Sequence, residues 1–263
     1  MYAFEIERPT SVADAVSALS ADEAQPLGGG QTLIPTLKQR LAMPSKLVSL
    51  AGIEEMKYVR RDGDVLVIGG GTTHGRIARE AAEHFPGLAA LAGKIGDPAV
   101  RNRGTIGGSI ANNDPSACYP SAAMACGATI VTNSREIAAD DYFQGMFTTA
   151  LEEGEIVTEV RFPIPEKSAY MKFEQIASRF PLVGVFVAKF SDRVGVGVTG
   201  ASNDGVFRWT EAEEALAGNF SADALSGVTA PPASDMIADL HGTAEYRAHL
   251  IPVMTRRGVA AAA

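Results

Sequence analysis

Residues 104–120 read GTIGGSIANNDPSACYP, with three glycines, two adjacent asparagines and a series of small or hydroxyl side chains in seventeen positions. A tight turn needs one or two such residues, so a run this long describes a backbone kept bare for something that approaches it closely. Two further stretches share the character, LGGGQTLIP at 27–35 and IGGGTTHG at 68–75, and each follows or closes an apolar strand-like run. Glycines without Cβ let several backbone N–H groups point into one concavity, and Gln31, Thr32, Thr105 and Ser109 add side-chain donors. That is chemistry for an anion, most naturally a diphosphate. Ordinary turns and close strand–helix packing are the competing uses of any single loop.

On either side of these loops the chain alternates helix and strand patterns. Ser11, followed by Asp14 and by apolar residues at helical spacing, opens a capped helix, and KLVSL reads as a buried strand. MKYVRRDGDVLVIGG forms two strands across a DG-containing turn, and HGRIAREAAEHF a helix stopped by Pro86. Helices are expected around LAALAGK and DPSACYPSAAMACG, and strands near ATIVT and IVTEVRFPI. After the proline-bearing PIPEKSA (163–169) the pattern changes to long strands, YMKFEQIA, LVGVFVAKF and RVGVGVTGA, with helices at TEAEEALAG, SADALSG and TAEYRAHLIPVMTRR. Pro252 is expected to kink or restart the last of these, and the terminal VAAAA to fray. The fold class is α+β. Residues 1–165 form a first domain of two subdomains, about 1–53 and 54–165, and residues 166–263 an α+β domain with helices against an antiparallel sheet.

Composition narrows the function. The 263 residues are 46% hydrophobic, carry a net charge of −8 and scatter their 23 Lys and Arg without a cluster, which argues against nucleic-acid and anionic-membrane partners. The N-terminus lacks the order of a secretory signal and no apolar run reaches a membrane span, so the expected compartment is the cytoplasm. Two cysteines, Cys118 and Cys126, are too few for a four-thiolate iron–sulfur cluster and read as small buried apolar residues, while the four histidines lack zinc-ligand spacing. There is no G-x-x-x-x-G-K-[ST], no complete G-x-G-x-x-G and no G-x-S-x-G, which removes the commoner nucleotide-binding and hydrolase readings. Neither His74 nor His84 receives a role.

LGGGQTLIP together with IGDPAVRNRGTIGGSIANNDP resembles the two signature loops of the FAD-binding medium subunit of molybdenum hydroxylases, the family of aerobic carbon monoxide dehydrogenase and xanthine-dehydrogenase-like enzymes. The likeness runs from FEIERPTSVADAV to EYRAHLIPVMTRR, essentially the whole chain. It implies a two-subdomain FAD-binding domain of the PCMH type followed by a C-terminal α+β domain. By position, Gly28, Gly29, Gly30, Gln31 and Thr32 would wrap the FAD diphosphate, and Thr105, Ile106, Gly107, Gly108 and Ser109, with Asn113 and Asp114 nearby, would meet it from the other subdomain. In YMKFEQIASRF, Lys172 and Phe180 match the family's lysine near the flavin and its covering aromatic ring, and Leu182 resembles a backbone contact. Cys118 stands where many relatives have Asp, a change that removes a charge-assisted hydrogen bond of about 1.5–3 kcal/mol unless something substitutes. The related fold sometimes tethers FAD through His or Cys, but no residue here stands in a context for it, so the FAD is expected to be non-covalent. The resemblance further implies the molybdenum cofactor in a large partner subunit and [2Fe-2S] clusters in a small one, assembled as a dimer of heterotrimers. The alternatives are a stand-alone flavin-binding protein and a self-contained flavin oxidase of related fold.

Overall fold

The architecture follows from where the apolar residues fall along each strand. A computed structural model describes residues 1–262. The first subdomain holds β1 (Glu5–Glu7), α1 (Val12–Leu19), β2 (Ala24–Leu27), α2 (Leu33–Lys38) and β3 (Lys46–Ser49), with a parallel sheet in the order β1-β3-β2. Ser11 caps α1 by accepting the Asp14 amide at 3.1 Å, and the buried stripe Ala15, Ala18 and Leu19 packs on Val48 and Ile53. The second subdomain runs through β4 (Val59–Asp62), β5 (Val65–Gly69), α3 (His74–Glu80), α4 (Pro86–Gly93), α5 (Pro98–Arg101), α6 (Ile106–Asn112), α7 (Tyr119–Cys126), β6 (Thr129–Thr132), β7 (Glu136–Ala138), α8 (Ala139–Tyr142), β8 (Phe143–Gly145), β9 (Thr148–Thr149) and β10 (Val157–Pro163). Its main sheet is antiparallel in the order β4-β5-β10-β6-β7.

The chain then enters an antiparallel meander of β11 (Lys167–Glu174), β12 (Pro181–Lys189), β13 (Val194–Ser202) and β14 (Gly205–Arg208), followed by α9 (Thr210–Gly218) and α10 (Ala244–Ala262). Alternation along β12 divides its side chains between two cores. Phe186 and Ala188 join the core of the second subdomain, while Val183, Val185 and Val187 join the one under α10. The C-terminal sheet is thus covered on both faces, which is why LVGVFVAKF reads as a continuous apolar run.

Several local expectations are corrected. The helix of HGRIAREAAEHF ends at Glu80, and Pro86 starts α4 instead of stopping α3, because its missing N–H costs nothing at a first helical position. SADALSG is a 3₁₀ turn, Ala222–Gly227. Helix α10 continues through Pro252, whose lost hydrogen bond is offset by burial of Ile251, Met254 and Val259 on the sheet. The same burial reaches Ala262, so the expected fraying does not extend to Val259–Ala262; Ala263 lies outside the described residues.

Candidate functional site

The three glycine stretches converge on one cleft of about 1040 Å³ between the first and second subdomains. That places it at the upper end of small-ligand sites. Each stretch leaves the end of a secondary-structure element and turns toward the others. The first follows β2 into α2, the 68–75 stretch follows β5 into α3, and the 104–120 stretch leaves α5 for α6. The last is helical over much of its length, with Thr105 as the cap of α6, accepting the Gly108 amide at 3.2 Å.

The loops differ in what their amides do. Among the described residues, the backbone N–H groups of Gly29, Gly30, Gln31 and Thr32 donate to no protein acceptor. In the 104–120 stretch, Ile106 N–H donates to the Thr72 carbonyl at 3.1 Å, Gly107 to Gly70 at 2.9 Å and Ser109 to Thr105 at 3.0 Å. The first loop is therefore bare along four successive amides, whereas in the second, from Thr105 to Ser109, only the Thr105 amide donates to no protein acceptor among the described residues. The second contributes the Thr105 and Ser109 hydroxyls and an open backbone surface at Gly108. Some of the glycines serve contact between loops. A Cβ on Gly29 would lie 2.0 Å from the Arg103 carbonyl oxygen, and one on Gly107 would lie 2.7 Å from that of Gly70.

Of the residues singled out in the sequence, Gly28, Gly29, Gly30, Gln31, Thr32, Thr105, Gly107, Gly108, Ser109, Asp114 and Phe180 line the cleft. Four stand off its wall. Ile106 is fully buried in the core. Asn113 is left-handed, φ 41°, and its amide donates to the Gly145 and Thr148 carbonyls at 2.8 Å. The Lys172 ammonium donates to the Lys94 carbonyl at 2.7 Å. Leu182 is buried, and its carbonyl accepts the Arg247 guanidinium at 2.7 Å. Cys118 is buried behind Ser116 and Ala117, which do line the cleft, and burial pushes its thiol up. Phe180 meets His241 edge to face, centroids 5.1 Å apart.

Other wall residues, among them Gly70 to His74, Lys57, Arg76, Arg103 and Glu155 to Val157, were not assigned to the cofactor individually from the sequence. The signal for the first group was in plain view, since IGGGTTHG has the composition of the other loops. Three cationic residues stand on this wall, but Lys57 pairs with Glu54 and Arg76 with Glu80, each at 2.7 Å, which leaves Arg103 as the one of the three without a carboxylate partner among the described residues. Glu155 is held down to about 2, chiefly by the Arg135 guanidinium and further by Ser134, Thr132 and the Glu152 amide, so its charge is tied into that cluster. Free amides, hydroxyls and the Arg103 guanidinium around a cleft of this size with an aromatic ring on its wall fit a dinucleotide carrying a diphosphate.

Residues 2–165 match the family described as the FAD binding domain in molybdopterin dehydrogenase. The chain is 35% identical to the carbon monoxide dehydrogenase medium chain of Afipia carboxidovorans, over 97% of this chain and 95% of that one. It is 34% identical to the nicotine 6-hydroxylase medium subunit of Paenarthrobacter nicotinovorans, over 95% and 94%. Among solved structures, reconstituted CO dehydrogenase from Oligotropha carboxidovorans superposes with a TM-score of 0.91 at 33% identity, covering 99% of this chain and 98% of that one. Fold and cleft together define a flavoprotein of the oxidoreductase class. The chain belongs to the FAD-binding medium subunits of the molybdenum hydroxylases.

Proposed function

We propose that this chain is the electron-transfer subunit of a molybdenum hydroxylase complex, receiving electrons from iron–sulfur clusters of a small partner subunit and passing them through FAD to a final acceptor. The observation that carries the reading is the convergence of free amides, the Thr105 cap and Phe180 on one cleft in a chain aligned end to end with medium subunits. FAD, when bound, supplies one- and two-electron redox chemistry. The residues of this chain do the rest: the 28–32 loop holds the diphosphate, Gly108 leaves room for it, and Phe180 covers the flavin. Two cysteines cannot ligate a cluster, so electrons arrive from a partner and the substrate reacts on a large molybdenum subunit. The assembly is a dimer of heterotrimers in the cytoplasm; among the described residues, no helix is long and apolar enough to cross a membrane. FAD is held without a covalent bond.

The test is to purify the chain with whatever accompanies it, extract the chromophore with acid and identify it by mass. FAD released intact, together with subunits showing iron–sulfur absorption, is the expected result. A folded chain that stays colourless with excess FAD and co-purifies with no partner overturns the reading.

A further inference from the structure

His74 is the side chain on the cleft wall whose chemistry remains unused. It follows Thr73 at the start of α3, its backbone N–H donates to the Gly104 carbonyl at 3.0 Å, and its side chain is 5% exposed. One ring face packs toward Tyr119, centroids 5.4 Å apart. Nδ1 is sealed from solvent with no hydrogen-bond partner, and neither ring nitrogen is bonded to another protein group. The Nε2 edge abuts Gly104, where a Cβ would come within 2.6 Å of Nε2, and both residues line the cleft. A side chain larger than hydrogen at position 104 would displace the ring.

A buried imidazole without partners is costly, so its retention asks for a group that completes it. Burial first, and the Arg101 guanidinium second, push His74 down to about 4, so at neutral pH the ring carries one proton. The interior beside Nδ1 provides no acceptor. An orphaned buried N–H is rarer than an orphaned lone pair, which favours the tautomer with the proton on Nε2 at the cleft. The ring is then a neutral donor held rigidly between the 68–75 and 104–120 stretches.

We propose that His74 is a cofactor-binding residue, presenting Nε2–H to an oxygen atom of the bound dinucleotide. The inference rests on the FAD reading and adds to the 28–32 loop a donor from the third glycine stretch. His74→Leu removes the donor and His74→Gln retains an amide N–H near the Nε2 position. The measurements are FAD titration of each purified protein and thermal melting without FAD. The expected outcome is FAD affinity weakened about tenfold or more in His74→Leu, with the melting temperature of the FAD-free protein not lowered, and affinity within about threefold of the parent in His74→Gln. Equal affinity in His74→Leu, or equal weakness in the two variants, overturns the proposal while leaving the FAD reading in place. A parent chain that binds no FAD overturns both. Should His74→Leu fail to fold, ¹⁵N spectra of the histidine rings in the parent protein decide the matter. An Nε2–H tautomer whose Nε2 resonance moves on FAD addition supports the role, and an Nδ1–H tautomer or an unmoved resonance refutes it.

Discussion

Gly29→Ala and Gly108→Val separate two jobs that one glycine-rich wall performs. A Cβ on Gly29 would sit 2.0 Å from the Arg103 carbonyl oxygen, 2.5 Å from its carbon and 2.6 Å from the Gly104 Cα, all backbone atoms with no rotamer to yield. Ordinary contact begins near 3.4 Å, so the first subdomain must back away from the 104–120 stretch by more than 1 Å. Overpacking of this kind costs about 1–3 kcal/mol, and the rigidity of the contact argues for the upper end. In a chain of this length that corresponds to a melting temperature lower by about 5–10 °C. A Cβ on Gly108 meets only the Thr105 hydroxyl, at 3.1 Å, and faces the open cleft. Valine there gains slightly in helix propensity, so the FAD-free protein melts within about 2 °C of the parent. Its methyl groups occupy the space assigned to the cofactor, and FAD affinity falls about 100-fold, or ~2.7 kcal/mol. Differential scanning fluorimetry without FAD and flavin-fluorescence titration read the two effects separately. Gly108→Val binding FAD within threefold of the parent would show that this wall does not meet the cofactor, and an unchanged melting temperature in Gly29→Ala would refute the packing argument.

Phe180→Ala is expected to keep FAD bound while shifting its visible absorption and midpoint potential; if both stay constant under spectroelectrochemical titration, Phe180 does not cover the flavin. Glu155, at about 2 in the fold against an ordinary 4.5, contributes stability that is complete above pH 4.5 and is lost as pH falls toward 2. Glu155→Gln should therefore melt lower than the parent at pH 7 and converge with it near pH 2, and parallel melting curves across that range would dispose of the linkage. Arg247 is 1% exposed and donates to the Leu182 and Gly200 carbonyls at 2.7 Å and to both Asp239 carboxylate oxygens at 2.8 Å. Arg247→Met strands those acceptors at a cost of about 3–5 kcal/mol, and urea unfolding that loses less than about 1 kcal/mol would show that they find other partners.

The legible parts of the fold were those with a strong period and a chemical stop. Helix α1, with Ser11 before it, and the meander from β11 to β13 were visible because each buries a face whose repeat matches its geometry. Short elements carried no such repeat. The three-residue strands β1, β7 and β8 gain their identity from neighbours, as Glu5–Glu7 does by pairing in parallel with Lys46–Val48. Helix α6 stayed hidden because IGGSIAN has two glycines, each unfavourable in a helix by about 0.8–1 kcal/mol, and forms where Gly70 and Thr72 hold its first turn.

The same limit explains the site. Residue type announces where a backbone is bare, and the three glycine stretches meet at one cleft accordingly. Residue type does not announce what the bareness is for, because a glycine that admits a ligand and one that admits a neighbouring carbonyl are the same letter. Gly29 and Gly107 prove to be contacts between loops, Gly108 remains open, and the run of successive free amides lies from Gly29 to Thr32, with that of Thr105 facing it from the second stretch. Deciding among these uses takes the positions of Arg103, which meets Gly29 across the two subdomains, and of Gly70, which meets Gly107 only when the second subdomain has folded. It follows that a glycine substitution scan of this chain should split in two: variants at loop-to-loop contacts lose heat stability and FAD together, whereas variants facing the cleft lose FAD alone.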